Sequence, residues 1–308
     1  MLRCILLARI EGVNKILPAI LRCLDALDVT MRNEGARARF AQLFERGGDD
    51  FDLDRAVLLI AQEQYPTLNI EHYISQLDRF AVDARTKIGA EKSAAARVLL
   101  LRDYLFTELG FHGNAGDYFD ARNSFLNDVI DRRTGIPITL AVVFMEVARR
   151  LDLELLGVGM PGHFIVKFCD DERDILLDPF NAGRELTVDD CREMVSGMYR
   201  GTLAFHPSFL AVVTKRQILT RILRNLKGIY AGVADHHRVL GIVERTLLLS
   251  PLEPVEIRDR GLAYMGLGEY GRALADLEDY LRRAPGAQDE AAIHERIDDL
   301  RKRQAQLN

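Results

Sequence analysis

Apolar residues from Leu2 to Leu24 (Leu2, Ile5, Leu6, Val13, Ile16, Leu17, Ile20, Leu21, Leu24) recur at helical spacing, with Arg3, Lys15 and Arg22 between them, and predict an amphipathic helix. The same period predicts helices over Phe51–Gln64, His72–Ile88 and Lys92–Leu109, the last capped by Ser93 and stopped by Gly110. Residues 1–110 are therefore expected to form a helical lead-in. Asn123–Arg133 and Ile138–Leu151 read as two further helices, parted by Thr134-Gly135-Ile136-Pro137. Proline suits a helix start because its missing N–H would have no intrahelical partner there. The pattern then changes to short β-branched or aromatic runs at Leu155–Val158, Phe164–Phe168 and Ile175–Leu177, broken by Gly, Pro and charged turns, as strands are. Residues 111–205 are thus expected as a core with a small antiparallel sheet, which makes the fold class α+β.

After about residue 205 strand signals cease and the chain repeats. An offset of 34 residues aligns Tyr230 with Tyr264, Gly232 with Gly266, Leu240 with Leu274, Val243 with Leu277, Leu247 with Leu281 and Pro251 with Pro285. That period is characteristic of tetratricopeptide helix pairs, expected here at about 220–253 and 254–287 within a domain spanning 206–308. The first copy is the more degenerate, with Val239 at the small-residue position that Ala273 fills in the second. A helix over Asp289–Gln304 is expected to cap one apolar end, since each repeat buries its face only against a neighbour. The helix around Thr214–Lys227 carries Lys215, Arg216, Arg221, Arg224 and Lys227 without an acid, yet Ile218, Leu219, Ile222, Leu223 and Leu226 argue first for packing.

Composition narrows the function. The 308 residues are 48% hydrophobic with a net charge of −5, and their interspersed charges give no bulk argument for nucleic acid or a membrane. Four scattered cysteines (Cys4, Cys23, Cys169, Cys191) without CxxC spacing suit a reducing cytoplasm. Arg9, Glu11 and Lys15 interrupt the N-terminal apolar run before a secretory or membrane segment is complete. The acidic string Asp49-Asp50-Phe51-Asp52-Leu53-Asp54 fails as a calcium loop, because Arg55 stands where Gly is required and Ala61 where Glu is required. Helix capping by Asp52 is its expected role. No metal or other cofactor is expected.

The candidate chemistry lies at His163 and Asp178, two polar residues beside apolar strands. Pairing Cys169 with Asp174 across a hairpin places Ile165 opposite Asp178 and His163 diagonal to it on the same face. A carboxylate there can orient an imidazole. Such a pair needs a nucleophile, and a preceding helix N-terminus is where a cysteine would be activated. A helix, then a strand with His, then a strand with Asp is the order of transglutaminase-like and papain-related folds, and the sequence resembles the transglutaminase-like superfamily. Setting Ala141 on that pattern's helix alanine and Leu151-Asp152-Leu153-Glu154 on its closing tetrapeptide puts Pro137 at the nucleophile position. Ile136 and Ile138 flank it, and Thr139 has no evident base.

Longer blocks sharpen the resemblance. Asn114 to Tyr118, Asn123 to Val129, Arg132-Arg133-Thr-Gly135-Ile-Pro137-Ile-Thr139-Leu-Ala141, Pro161-Gly162-His163-Phe164 and Asp178-Pro179-Phe180-Asn181 are similar to signatures of the bacterial SirB invasion-regulator family, a transglutaminase-like branch with appended tetratricopeptide repeats. The resemblance runs from about residue 31 to the C-terminus and implies that the missing cysteine is a family trait. Residues 1–30 fall outside it and read either as a lineage-specific extension or as an over-called start. Two functions are in play. One is a non-catalytic regulatory module that binds a protein or peptide through the repeats. The other is an acyl-transfer or amide-hydrolysing enzyme using His163 and Asp178 without cysteine, with Asn123, Asn127, Arg133, Pro137 and Asn181 as cleft-lining candidates and Cys191 as a remote substitute nucleophile.

Overall fold

The structure, a computed structural model, describes residues 35–44, 50–170 and 174–307. The helix expected over Leu2–Leu24 lies outside these. After a helical stretch at residues 35–42, three helices follow in the described core: α1 (Leu53–Gln64), α2 (Ile70–Ile88) and α3 (Ala94–Asp103). The Asn69 side chain caps α2 by accepting from the His72 N–H, and Ser93 caps α3 by accepting from Ala96 N–H. Asp52 occupies the cap position of α1, but its side chain makes no cap hydrogen bond, contrary to expectation. The acid that matters there is Asp54, buried and held by Arg150 at 2.6 Å. The helix expected to run to Leu109 changes to a π turn over Tyr104–Glu108, closed by Leu109 N–H donating to Tyr104 O at 2.9 Å. The wider turn lets Tyr104, Leu105 and Phe106 all turn inward.

A 3-10 turn (Ala121–Asn123) precedes α4 (Leu126–Arg132), so the helix expected over Asn123–Arg133 is shorter and starts later. Next comes α5 (Pro137–Arg149), with Pro137 in its first turn and almost every side chain buried, as befits a helix enclosed by the core. Two short segments missed by the strand pattern, β1 (His112–Gly113) and β2 (Thr134–Gly135), pair in parallel just before these helices. The main sheet is antiparallel in the order β3 (Leu155–Val158), β4 (Ile165–Cys169), β5 (Asp174–Asp178), β6 (Arg184–Leu186). Cys169 pairs with Asp174 and Val166 with Leu177, the register expected from the hairpin that sets Cys169 opposite Asp174. On β4 and β5, Val166, Phe168, Ile175 and Leu177 face the large helical core, while Ile165 and Leu176 join a smaller cluster with Cys191 and Val195 of α6 (Val188–Met198).

Five helices complete the chain: α7 (Lys215–Gly232), α8 (His236–Leu249), α9 (Pro254–Gly266), α10 (Tyr270–Arg283) and α11 (Glu290–Leu307). They follow the 34-residue pattern, and small residues sit where helices meet: a Cβ on Gly261 would lie 3.0 Å from Leu277, and Ala273 is fully buried. Ile293, Ile297 and Leu300 of α11 close the last repeat against Leu277 and Tyr280. At the other end no separate cap is needed. Ile218, Leu219, Ile222, Leu223 and Leu226 of α7 lie in the same continuous core as α1, α5 and the sheet, and so do Val239 and Ile242 of α8. The fold is α+β, with the sheet-bearing core and the repeats sharing α7. Leu223→Ala should therefore lower the unfolding free energy by about 2–5 kcal/mol, read from the midpoint and slope of urea denaturation.

Candidate functional site

The hairpin register brings His163 and Asp178 together. His163 Nε2 lies 2.9 Å from Asp178 Oδ1, and both side chains are buried, at 7% and 1% exposure. Asp178 ends β5 and turns the chain into a 3-10 turn (Pro179–Asn181) by accepting from Phe180 N–H at 3.0 Å. Asn181 Nδ2 donates to its second oxygen at 2.7 Å. Burial by itself pushes the Asp178 carboxyl up; His163 and the two Asn181 and Phe180 donors more than reverse this, and the net shift is downward. An ionised carboxylate only accepts, so the imidazole carries its proton on Nε2 and leaves Nδ1 as the nitrogen not engaged by Asp178.

Aromatic rings enclose the pair. Phe180 stands edge-on to His163 with centroids 6.1 Å apart, Tyr118 meets Phe180 at 6.0 Å, and Phe119 meets Tyr118 at 5.5 Å. The Phe180 ring lies over Gly113 of β1, where a Cβ would come within 2.4 Å of it. The chain reaches His163 through Gly162 at φ 72°, a left-handed conformation that favours glycine, packed beside Met198 and Tyr199 at the end of α6. Arg221 of α7 donates to Met160 O at 2.9 Å and to His163 O at 2.8 Å. Sequence reasoning treated Arg221 only as one cation of a basic helix and did not connect Gly113 or Tyr118 to the site. The resemblance blocks Asn114 to Tyr118 and Asp178 to Asn181 contained Tyr118 and Phe180 but assigned neither a role.

The other candidates divide clearly. Asn181 joins the pair as a donor to Asp178. Asn123 is fully buried and holds the loop carrying Tyr118, donating to Asp117 O at 2.7 Å while its Oδ1 accepts from Asn114. Asn127 is 5% exposed, and its Oδ1 finds no partner among the described residues, as is also true of the neighbouring Ser124 Oγ. Arg133 is not brought to the pair: it takes a left-handed backbone (φ 56°) at the end of α4, and its guanidinium stacks 4.6 Å from the Phe80 ring and 4.8 Å from the Phe111 ring.

No activated nucleophile stands at the start of α5 among the described residues. Pro137 and Ile136 are buried hydrocarbons there. Thr139 Oγ1 donates to Asn123 O at 2.7 Å and accepts from Ile136 N–H at 3.2 Å, so its hydroxyl is committed to capping the helix. Cys191 is enclosed within α6, where burial first and then the Asp190 and Asp178 charges push its thiol up to about 11. Cys169 is exposed at the far end of β4. Surface grooves of about 430 Å³, between β3 and the start of α7, and about 500 Å³, beside β6, are lined by neither His163 nor Asp178.

Comparison with known proteins agrees with this architecture. The description of the transglutaminase-like superfamily matches residues 71–224, and that of a tetratricopeptide repeat matches residues 226–298. A UPF0162 protein of Xylella fastidiosa is 37% identical over 246 residues, covering 79% of this chain and 88% of that protein. The chain belongs to the UPF0162 family, and its core is transglutaminase-like. A UPF0162 protein of Pseudomonas aeruginosa is 30% identical over 249 residues, covering 80% of this chain and 90% of that one. Human F-box only protein 21 is 32% identical over 146 residues, 44% of this chain and 22% of that protein. The transglutaminase-like match begins inside α2, so the superfamily core includes helices that the sequence pattern placed in the lead-in.

Removing the Asp178 side chain strands the His163, Phe180 and Asn181 donors. Asp178→Ala should cost about 3–5 kcal/mol in urea unfolding. Its folded carboxyl ionises more readily than the unfolded one, whose value is about 3.9. The stabilisation is therefore complete above that pH and is lost as pH falls through the lower folded value. Asp178→Asn should flatten this acid limb when unfolding is measured at stepped pH.

Proposed function

We propose that this protein is a non-catalytic interaction and regulatory module: a transglutaminase-like core without its nucleophile, fused to repeat helices that bind a protein or peptide. The observation that carries this reading is the start of α5. Pro137 supplies no nucleophilic atom there, the Thr139 hydroxyl is committed, and the His163–Asp178 pair faces neither Cys169 nor an ionisable Cys191. The pair then serves as a buried latch for the turn after β5. We place the protein in the cytoplasm on the sequence grounds given above, and the SirB resemblance supports a regulatory setting. Among the described residues no helix is long and apolar enough to cross a membrane.

The repeats offer the contact surface. Leu248, Leu252 and Val255, at the junction of α8 and α9, are 40%, 70% and 41% exposed. Beside them runs a groove of about 350 Å³ lined by Leu247, Leu248, Pro251 and Ile257, with Arg260, Asp279 and Arg283 among its charged residues. Apolar anchors with a charged rim suit a peptide or helix of a partner. The enzymatic alternative draws on one observation, that Asp178 engages Nε2 and leaves Nδ1 as the basic nitrogen of a dyad.

The two readings part in one experiment. Wild type and His163→Ala should behave alike across amidase, esterase and transamidase substrates. A partner identified by affinity capture should bind both of them and lose at least about tenfold in affinity for Leu248→Glu combined with Val255→Glu, measured by calorimetry. A turnover present in wild type and abolished in His163→Ala would instead establish the enzyme.

A further inference from the structure

The mouth of the His163 site combines two features that the latch role leaves unused. The first is a cation without an acid. Arg221 is held by two carbonyls, Met160 O and His163 O, and stacks 5.6 Å from the Phe164 ring, but no carboxylate of the described residues pairs with it. The other cations of α7 are placed differently. Lys227 takes Glu256 and Asp259, Lys215 donates to Phe51 O, and Arg224 lies 3.9 Å from Glu256. Burial presses Arg221 toward its neutral form, and the ionisable side chains nearest to act on it are the Tyr118 and Tyr199 phenols, which carry no charge near neutral pH. A half-buried guanidinium with spare N–H donors, in a chain whose net charge is negative, is an incomplete ion pair.

The second feature is an exposed aromatic rim. Tyr118, Phe119, Met198 and Tyr199 are 38%, 76%, 43% and 37% exposed, although each lies within the wall built on Phe180 and Gly162. Tyrosine rings beside a half-buried cation supply contact area at small entropic cost and leave hydroxyls for hydrogen bonding. Isolated surface aromatics need no explanation, but Tyr118 and Tyr199 both lie close enough to Arg221 to act on it, and with Phe119 and Met198 alongside them they form a recognition surface.

We propose that this mouth, between Tyr118 and Tyr199, binds an acidic peptide segment whose carboxylate pairs with Arg221 while neighbouring apolar side chains pack on the rim. The carboxylate completes the charge balance of the guanidinium, and its two oxygens match the planar fork. This surface is separate from the repeat groove, so either can fail without the other.

The test pans the full-length chain against a random dodecapeptide library and measures the dominant peptide by fluorescence anisotropy. Peptides bearing Asp or Glu beside aromatic or apolar residues are expected. Converting that acid to its amide should weaken binding about tenfold or more, and so should Arg221→Gln in the protein. Tyr199→Glu, at an exposed position, should repel the same peptide without altering the melting curve, and it decides the matter alone if Arg221→Gln does not fold. The peptide should stay bound to Leu248→Glu combined with Val255→Glu. The proposal falls if no peptide is recovered, if those recovered lack acids, if Tyr199→Glu binds as wild type does, if the repeat variant loses the peptide, or if equimolar inorganic phosphate displaces it.

Discussion

One helix bears the weight of this architecture. Through its apolar face α7 completes the core shared by α1, α5 and the sheet, and from the same turns it reaches both ways. Arg221 grips the carbonyls of Met160 and His163, while Lys227 is bound by Glu256 and Asp259 of α9. The superfamily and repeat matches end and begin at residues 224 and 226, in the middle of this helix. There is consequently no linker between core and repeats, and the orientation of the array is set by packing. A second tie lies alongside: Arg37 bonds Glu63 of α1 and Glu244 of α8, and Arg245 of α8, fully buried, pairs with Glu63. A charge as fully enclosed as that of Arg245 holds a geometry more than it adds net stability.

The His163–Asp178 pair illustrates what keeps a buried polar pair in place. A buried carboxylate is tolerable only while its oxygens are satisfied, and here the imidazole, a backbone N–H and the Asn181 amide do so. Loss of a nucleophile at the start of α5 removes no partner from this set. Loss of Asp178 would remove three. Stability alone is therefore sufficient to keep the pair, and its presence carries little weight as evidence of turnover. The stronger functional signal comes from groups whose placement stability does not require, such as an unpaired cation and exposed rings beside it.

Much of the fold was legible because its signals are periodic. The charged turn between two short apolar runs set Cys169 opposite Asp174 and with it the meeting of His163 and Asp178; the 34-residue offset located the repeats. What escaped was short or dependent on distant partners. β1 and β2 are two residues each and carry no period, and β6 is three. The π turn at Tyr104 differs from an α-helix by a single residue, which the apolar spacing tolerates. Asp52 and Asp54 are equivalent acids in sequence, and only Arg150, about a hundred residues away along the chain, decides which one is buried. Arg133 read as a cleft residue because its polarity was visible and the Phe80 and Phe111 rings that absorb it were not.

The contact between Phe180 and Gly113 ties together two positions that lie 67 residues apart. The ring occupies the volume in which any side chain at 113 would begin, so the two positions are not free to drift independently. Across descendants of this chain, residue 113 can acquire a side chain only after the aromatic at 180 has shrunk or turned away. That dependence is directional: a small residue at 180 frees 113, whereas glycine at 113 leaves 180 unconstrained. The pair accordingly forms a one-way historical record, in which a bulky residue at 113 marks a lineage that has already dismantled the wall around the imidazole.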